Sequence, residues 1–246
     1  LNDINNLGQL SIDSVGCEIT QKLLRYIVME AKLMSRTYMV TITNPPYMGS
    51  SGMNSKITKF VKKNYPDSKS DLFAIFIERC KRFTQPKGYY SMITQHAWMF
   101  LVSYEKLRGI LRDNRLLNLL HLGAHAFDEL GGEIVQSVTF TFQNISVNNS
   151  KTVFERLLRY GSEEEKKTAY LRKENSYVKE VDSFDNVPGR LFAYWLSDKE
   201  LSAFDVEHIG ETYKARQGMS TTDNERFVRK WYEIEFDKIS FSGEKQ

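Results

Sequence analysis

Asparagine, two prolines and a tyrosine in succession, Asn44-Pro45-Pro46-Tyr47, are the residues of this 246-residue chain best equipped for chemistry. An asparagine side chain offers an acceptor oxygen. Proline fixes φ, loses its N–H and keeps its carbonyl, so it offers only an acceptor. The tyrosine adds an aromatic wall, and the set suits the gripping of a planar amine. The exocyclic amine of adenine is a poor nucleophile because its lone pair is delocalised into the ring. Two acceptors on its two N–H groups, the Asn44 oxygen and a backbone carbonyl at Pro45, draw the nitrogen toward tetrahedral geometry and free that pair. Tyr47 then stacks on the base, as an enzyme acting on a flipped-out base requires. Such a site needs positioning and oriented dipoles more than a strong base or a metal. The presence of only four histidines therefore does not count against it. The plain alternative is a proline turn, since Asn-Pro commonly opens one.

The elements that must position this segment follow from periodicity. Ile19, Leu23, Tyr26, Ile27, Ala31 and Met34 recur at helical spacing, predicting an amphipathic helix over 18–34. Tyr38 to Thr43 reads as a buried strand ending at Asn44. Residues 49–69 are polar and lysine-bearing, with a turn at Pro66-Asp67-Ser68. Ser70 is the expected N-cap of a helix whose apolar face is Leu72, Ile75, Phe76, Cys80 and Phe83. Pro86-Lys87-Gly88 is expected to end that segment before a strand over 89–94. A helix is expected over 103–114 and a strand over 116–122. Val138, Phe140 and Phe142 alternate with Ser137, Thr139 and Thr141, the period of a strand with two unlike faces. Strand and helix alternating at this spacing predict an α/β fold with a mainly parallel sheet, its last strand antiparallel. In open sheets of this kind ligands bind beyond the carboxyl ends of the strands. Asn44 stands at one such end and His96 at the next.

Composition narrows the class. A hydrophobic content of 41% with 26% charged residues is that of a globular protein. No apolar run approaches the roughly 20 residues of a membrane span, and no signal peptide pattern opens the chain. Cys17 and Cys80 lack CxxC spacing and read as reduced core thiols, which suggests a cytoplasmic protein. A net charge of +3 permits nucleic-acid contact without demonstrating it.

Several longer strings occur in one order: Asn-Pro-Pro-Tyr-Met-Gly-Ser-Ser-Gly at 44–52, Tyr-Pro-Asp-Ser-Lys-Ser-Asp-Leu-Phe at 65–73, and Trp98-Met-Phe-Leu101. Pro188-Gly with Tyr194-Trp and Asn224-Glu-Arg-Phe-Val-Arg-Lys-Trp231 complete the series. Together they resemble the N6-adenine DNA methyltransferases of the type I and type IIG restriction–modification kind, most of all the subgroup from BREX phage-defence systems. The resemblance implies a partial Rossmann-like class I methyltransferase sheet, S-adenosylmethionine as methyl donor and double-stranded DNA as partner, with other defence-system subunits as further partners. It assigns Asn44, Pro45 and Tyr47 to the target amine and Leu72 and Phe76 to the adenine of the cofactor. It gives Phe142 to stacking on the flipped base, and Lys56, Lys59, Lys62 and Lys63 to the DNA backbone. Apart from the resemblance, core packing is the commoner reading of Leu72 and Phe76 and an equal one for Phe142, and a solvated loop explains the lysines. The organisation expected is a distal part of the catalytic domain over 1–150, a connecting segment over 151–209, and the start of a target-recognition region over 210–246.

The chain also departs from the family pattern. No glycine-rich strand–turn precedes Asn44, and the first residue is Leu1. The expectation is an internal piece of a longer protein that does not methylate DNA alone. Methylation of a protein glutamine or of RNA is a second reading, and a non-catalytic DNA-binding or assembly module is a third. His121 and His125, with Asp128 or Glu129, form a metal constellation only on paper, because a strand over 116–122 does not place the pair on one helical face. No metal is expected.

Overall fold

A computed structural model describes residues 15–126, 135–206, 209–213 and 223–239. The chain divides into two compact units, Leu1–Asp205 and Val206–Gln246. In the first, helix α1 (Val15–Met34) leads into strand β1 (Tyr38–Thr43), and the segment from Asn44 follows. Next come α2 (Ser55–Asn64), α3 (Leu72–Phe83) and β2 (Thr84–Gln95). A 3-10 turn at His96–Met99 and α4 (Glu105–Arg112) lead to β3 (Arg115–Gly123) and β4 (Ser137–Gln143). Strand β5 (Lys151–Arg156), α5 (Glu163–Arg172), β6 (Ser176–Glu180) and α6 (Asp198–Ser202) complete the unit.

The six strands among the described residues form one sheet in the order β1-β2-β4-β3-β5-β6. Strand β1 runs parallel to β2 and β3 parallel to β5, whereas β4 opposes both its neighbours and β6 opposes β5. Four strands thus point one way and β4 and β6 the other. This is the α/β fold expected from the sequence, with the alternating strand reversed. Phe73, Ile77, Trp98, Leu107, Phe140, Phe154 and Tyr194 are fully buried in one core.

The structure differs from the sequence expectations where local signals compete with packing. Strand β2 starts at Thr84 and runs through the Pro86-Lys87-Gly88 stop signal. A register shift between Tyr38 and Val40 absorbs the proline, and Lys87 takes a φ of 69°. Gly88 allows the close approach, since a Cβ there would lie 2.6 Å from the Met39 carbonyl oxygen. The polar stretch expected as a loop is helix α2, because Met53, Ile57, Val61 and Tyr65 give it an apolar face packed on Ile75. The helix expected over 103–114 is a 3-10 turn at Val102–Tyr104 followed by the shorter α4. Residues 151–209, expected as a connection, instead add β5 and β6 to the sheet; Thr152, Phe154 and Glu155 are buried there. In α1 the predicted apolar stripe stays open to solvent, with Leu23, Tyr26, Ile27 and Met34 all more than half exposed.

In the second unit the described residues form α7 (Ile209–Thr212), α8 (Asn224–Phe227) and two 3-10 turns. The Asp223 side chain caps α8, accepting from the Arg226 N–H at 3.0 Å.

Candidate active site

The sheet gathers its chemistry on one edge. Strand β1 ends at Thr43, which lies opposite Met92 of β2, so Asn44 to Tyr47 emerge beside the last residues of β2. Gln95, at the end of β2, faces Ser137, where the reversed β4 begins. Gly123, at the end of β3, also pairs with Ser137. Asn44 is exposed, Pro45 buried and Tyr47 half-buried. The Tyr47 ring meets Phe73 edge-on at 6.1 Å. Its hydroxyl is buried and completes no hydrogen bond among the described residues. Burial pushes the phenol above its ordinary range, with the nearby Ser137 hydroxyl opposing the shift.

An aspartate that the sequence reading passed over anchors this segment. Asp71, not Ser70, caps α3: one of its carboxylate oxygens accepts from the Phe73 N–H at 3.2 Å and from the Met48 N–H at 3.0 Å. The Leu72 N–H donates to the Met48 carbonyl and the Ser50 N–H to the Ser70 carbonyl, both at 3.0 Å. The loop after Tyr47 is thereby sewn to the first turn of α3. Asp71 and Ser70 are both cap-forming residue types, so sequence alone leaves the choice open. The loop contact decides it.

Leu72 and Phe76 lie one turn apart on α3, each partly buried. Leu72 leans on the Met53–Val61–Tyr65 cluster and Phe76 on the main core. Lys56, Lys59, Lys62 and Lys63 are all exposed on α2, opposite its buried Val61. Phe142 is 1% exposed and stacked on Tyr90 at 5.2 Å. Through Tyr90 it lies level with Thr41, two residues before β1 ends, and its ring packs in the core there.

Two of the histidines form a hydrogen-bonded chain with Tyr194. His96 Nδ1 lies 2.7 Å from His121 Nε2, and His121 Nδ1 lies 2.8 Å from the Tyr194 hydroxyl. His121 is 2% exposed, and burial, then His96 and Arg156, push its pKa down to about 3. Burial also lowers His96. His125 has left-handed backbone (φ 54°), and Asp128 and Glu129 lie outside the described residues. Among the described residues no group of three or more histidine, cysteine, aspartate or glutamate side chains could hold a metal ion. Tyr194 is 73 residues from His121, and no local signal announces the contact.

Arg108, fully buried, holds the surrounding loops together. Its Nη1 donates to the Trp98 and Leu101 carbonyls at 2.8 Å, and its Nε and Nη2 donate to the Gly189 carbonyl at 2.9 and 2.6 Å. The guanidinium thus joins the turn that follows His96 to the Pro188–Arg190 turn that precedes Tyr194. Desolvation lowers its pKa, with Glu105 opposing.

Residues 6–127 match the family model of the Eco57I restriction-modification methylase. The adenine-specific methyltransferase PglX of Lacticaseibacillus casei (strain Zhang) is 39% identical over 242 residues, 95% of this chain and 20% of that protein. The adenine-specific methyltransferase BrxX of Escherichia coli O9:H4 (strain HS) is 35% identical over 230 residues, 92% of this chain and 19% of that protein. The chain thus spans about a fifth of the length of these curated relatives. A solved structure of the type I R-M system, 16% identical, superposes with a TM-score of 0.50 over 67% of this chain and 38% of that one. It shares the fold.

Proposed function

We propose, from the match of residues 6–127 to the Eco57I restriction-modification methylase family model, that the chain serves in transfer of a methyl group to the N6 amine of a flipped-out adenine in DNA. The observation that carries the proposal is the placement of Asn44-Pro45-Pro46-Tyr47. These residues leave β1 at the carboxyl edge of the sheet, where Asp71 fastens the loop that follows them.

In this reading the Asn44 side-chain oxygen and the Pro45 carbonyl accept the two N6 hydrogens. Lone-pair density then localises on the nitrogen, and its direction is fixed by dipoles that need not reorganise during reaction. Tyr47 walls the base. S-Adenosylmethionine, when bound, supplies an electrophilic methyl group on a positively charged sulfur. The half-exposed faces of Leu72 and Phe76, on the helix stitched to the Tyr47 loop, fit the apolar side of such a cofactor's adenine ring. Lys56, Lys59, Lys62 and Lys63 face solvent on α2, directly after that loop, and suit phosphate contacts.

Residues 1–150 then supply methyltransferase elements, 151–209 connect them onward and add β5 and β6 to the sheet, and 210–246 open a target-recognition region. The partners proposed are double-stranded DNA and other subunits of a restriction–modification or BREX-type defence system, in the cytoplasm. No helix among the described residues is long and apolar enough to cross a membrane.

The test is Asn44→Ala in the intact protein that carries this chain. Adenine methylation is expected to fall by at least about a hundredfold, the scale of a lost transition-state acceptor, with DNA affinity retained. Unchanged methylation would sink the role given to Asn44.

A further inference from the structure

Histidine hydrogen bonds have a direction, and here a buried hydroxyl sets it. Tyr194 is fully buried, and its hydroxyl makes one hydrogen bond among the described residues, with His121 Nδ1 at 2.8 Å. Were His121 the donor, the hydroxyl hydrogen would be buried without an acceptor, at a cost. The hydroxyl hydrogen therefore points to His121 Nδ1.

His121 is buried and neutral, so it carries one donor and one acceptor. With Nδ1 accepting, Nε2 holds the hydrogen and donates it to His96 Nδ1 at 2.7 Å. The remaining hydrogen of a neutral His96 is then on Nε2. That nitrogen makes no hydrogen bond among the described residues, and the ring is half-exposed. His96 directly follows Gln95, and its backbone N–H donates to the Gln136 carbonyl at 2.9 Å. It thus stands beside Ser137, the residue whose hydroxyl neighbours Tyr47.

We propose that His96 presents Nε2–H as a fixed hydrogen-bond donor to a ring nitrogen next to the target amine, N1 or N7 of the purine, with Tyr194 and His121 as positioning residues behind it. This rests on the adenine-methylating reading above. In that arrangement the two N6 hydrogens go to Asn44 and Pro45, and a flanking lone pair goes to His96. The base is then read as an amine adjoining an acceptor. His96 serves as a donor, not as a base that takes the proton lost from N6.

The test uses the intact protein and cognate duplexes carrying adenine, 7-deazaadenine or 1-deazaadenine at the target position. The target is left unpaired in all three, so that base-pairing differences cancel. Both duplex affinity and methyl-transfer kcat/KM are measured. Wild type is expected to lose about tenfold on one analogue and not on the other. His96→Ala is expected to lose about tenfold on adenine and nothing more on that analogue, and His96→Gln, which keeps a donor, to recover most of the loss. Tyr194→Phe frees the His121 tautomer and is expected to weaken adenine and spare the analogue. Equal losses for His96→Ala on all three bases, or wild type indifferent to both analogues, would overturn the proposal while leaving adenine methylation standing. Wild type that methylates no adenine overturns the reading beneath it, and this inference with it.

Discussion

At the scale of single residues, His121 joins stability to acidity. Its folded pKa, about 3, lies far below the ordinary histidine value of 6.5. Between those values the unfolded chain binds a proton that the folded chain refuses. Stability from this group is therefore complete above pH 6.5 and declines as pH falls toward 3. By pH 5 the loss amounts to about 2 kcal/mol at 1.36 kcal/mol per pH unit. Denaturant unfolding of the chain at pH 7 and pH 5 measures it, and His121→Gln is expected to flatten the slope. An equal slope in both proteins would place the acid sensitivity elsewhere. At this scale the types of Asn44, Pro45 and Tyr47 suggest an amine pocket, because an amide oxygen and a proline carbonyl are acceptors set beside an aromatic. The partners of His121 were not. Tyr194 and Arg156 reach it only after two further strands have folded onto the sheet.

At the scale of elements, the loop after Tyr47 and the first turn of α3 behave as one piece. A single carboxylate oxygen of Asp71 serves both the helix cap and the Met48 N–H. Asp71→Ala is expected to cost about 1–2 kcal/mol, the usual worth of a cap, in chemical denaturation. It is also expected to lower methylation in the intact protein more than Ser70→Ala does. Similar effects from the two substitutions would mean that the loop does not depend on Asp71. Helix α3 was readable from periodicity because it buries one regular face, and β1 from its β-branched and aromatic run, although that run, expected to be buried, has no buried residue. Strand β2 was less so: a proline, a left-handed lysine and Gly88 look like a stop, and only the neighbouring β1 turns them into a bulge. Helix α2 was obscured by its lysines, although Met53, Ile57, Val61 and Tyr65 mark its inner face. Phe142 shows what pattern leaves open: alternation placed it on a strand, and only the pairing with Tyr90 shows its ring packed in the core.

At the scale of the whole molecule, the sheet is asymmetric. One flank grows past β3 into β5 and β6, where residues 151–180 show weak periodicity because their inner positions include Thr152, Glu155 and Lys166. Lys166 sits among carbonyls, donating to those of Ala124, His125 and Tyr160, so a charged residue serves as a staple. The other flank ends at β1. There Met39, Val40 and Ile42 are 57%, 55% and 74% exposed on a strand paired along one side only among the described residues. A bare apolar margin of this kind is a template onto which further strands add without limit. In dilute solution the chain is accordingly expected to form growing aggregates with rising concentration, visible by light scattering and by thioflavin fluorescence. Ile42→Lys, a charge on that margin, is expected to suppress the growth while leaving the fold intact. The same strand that delivers Asn44 to the site thus sets the colloidal behaviour of the molecule.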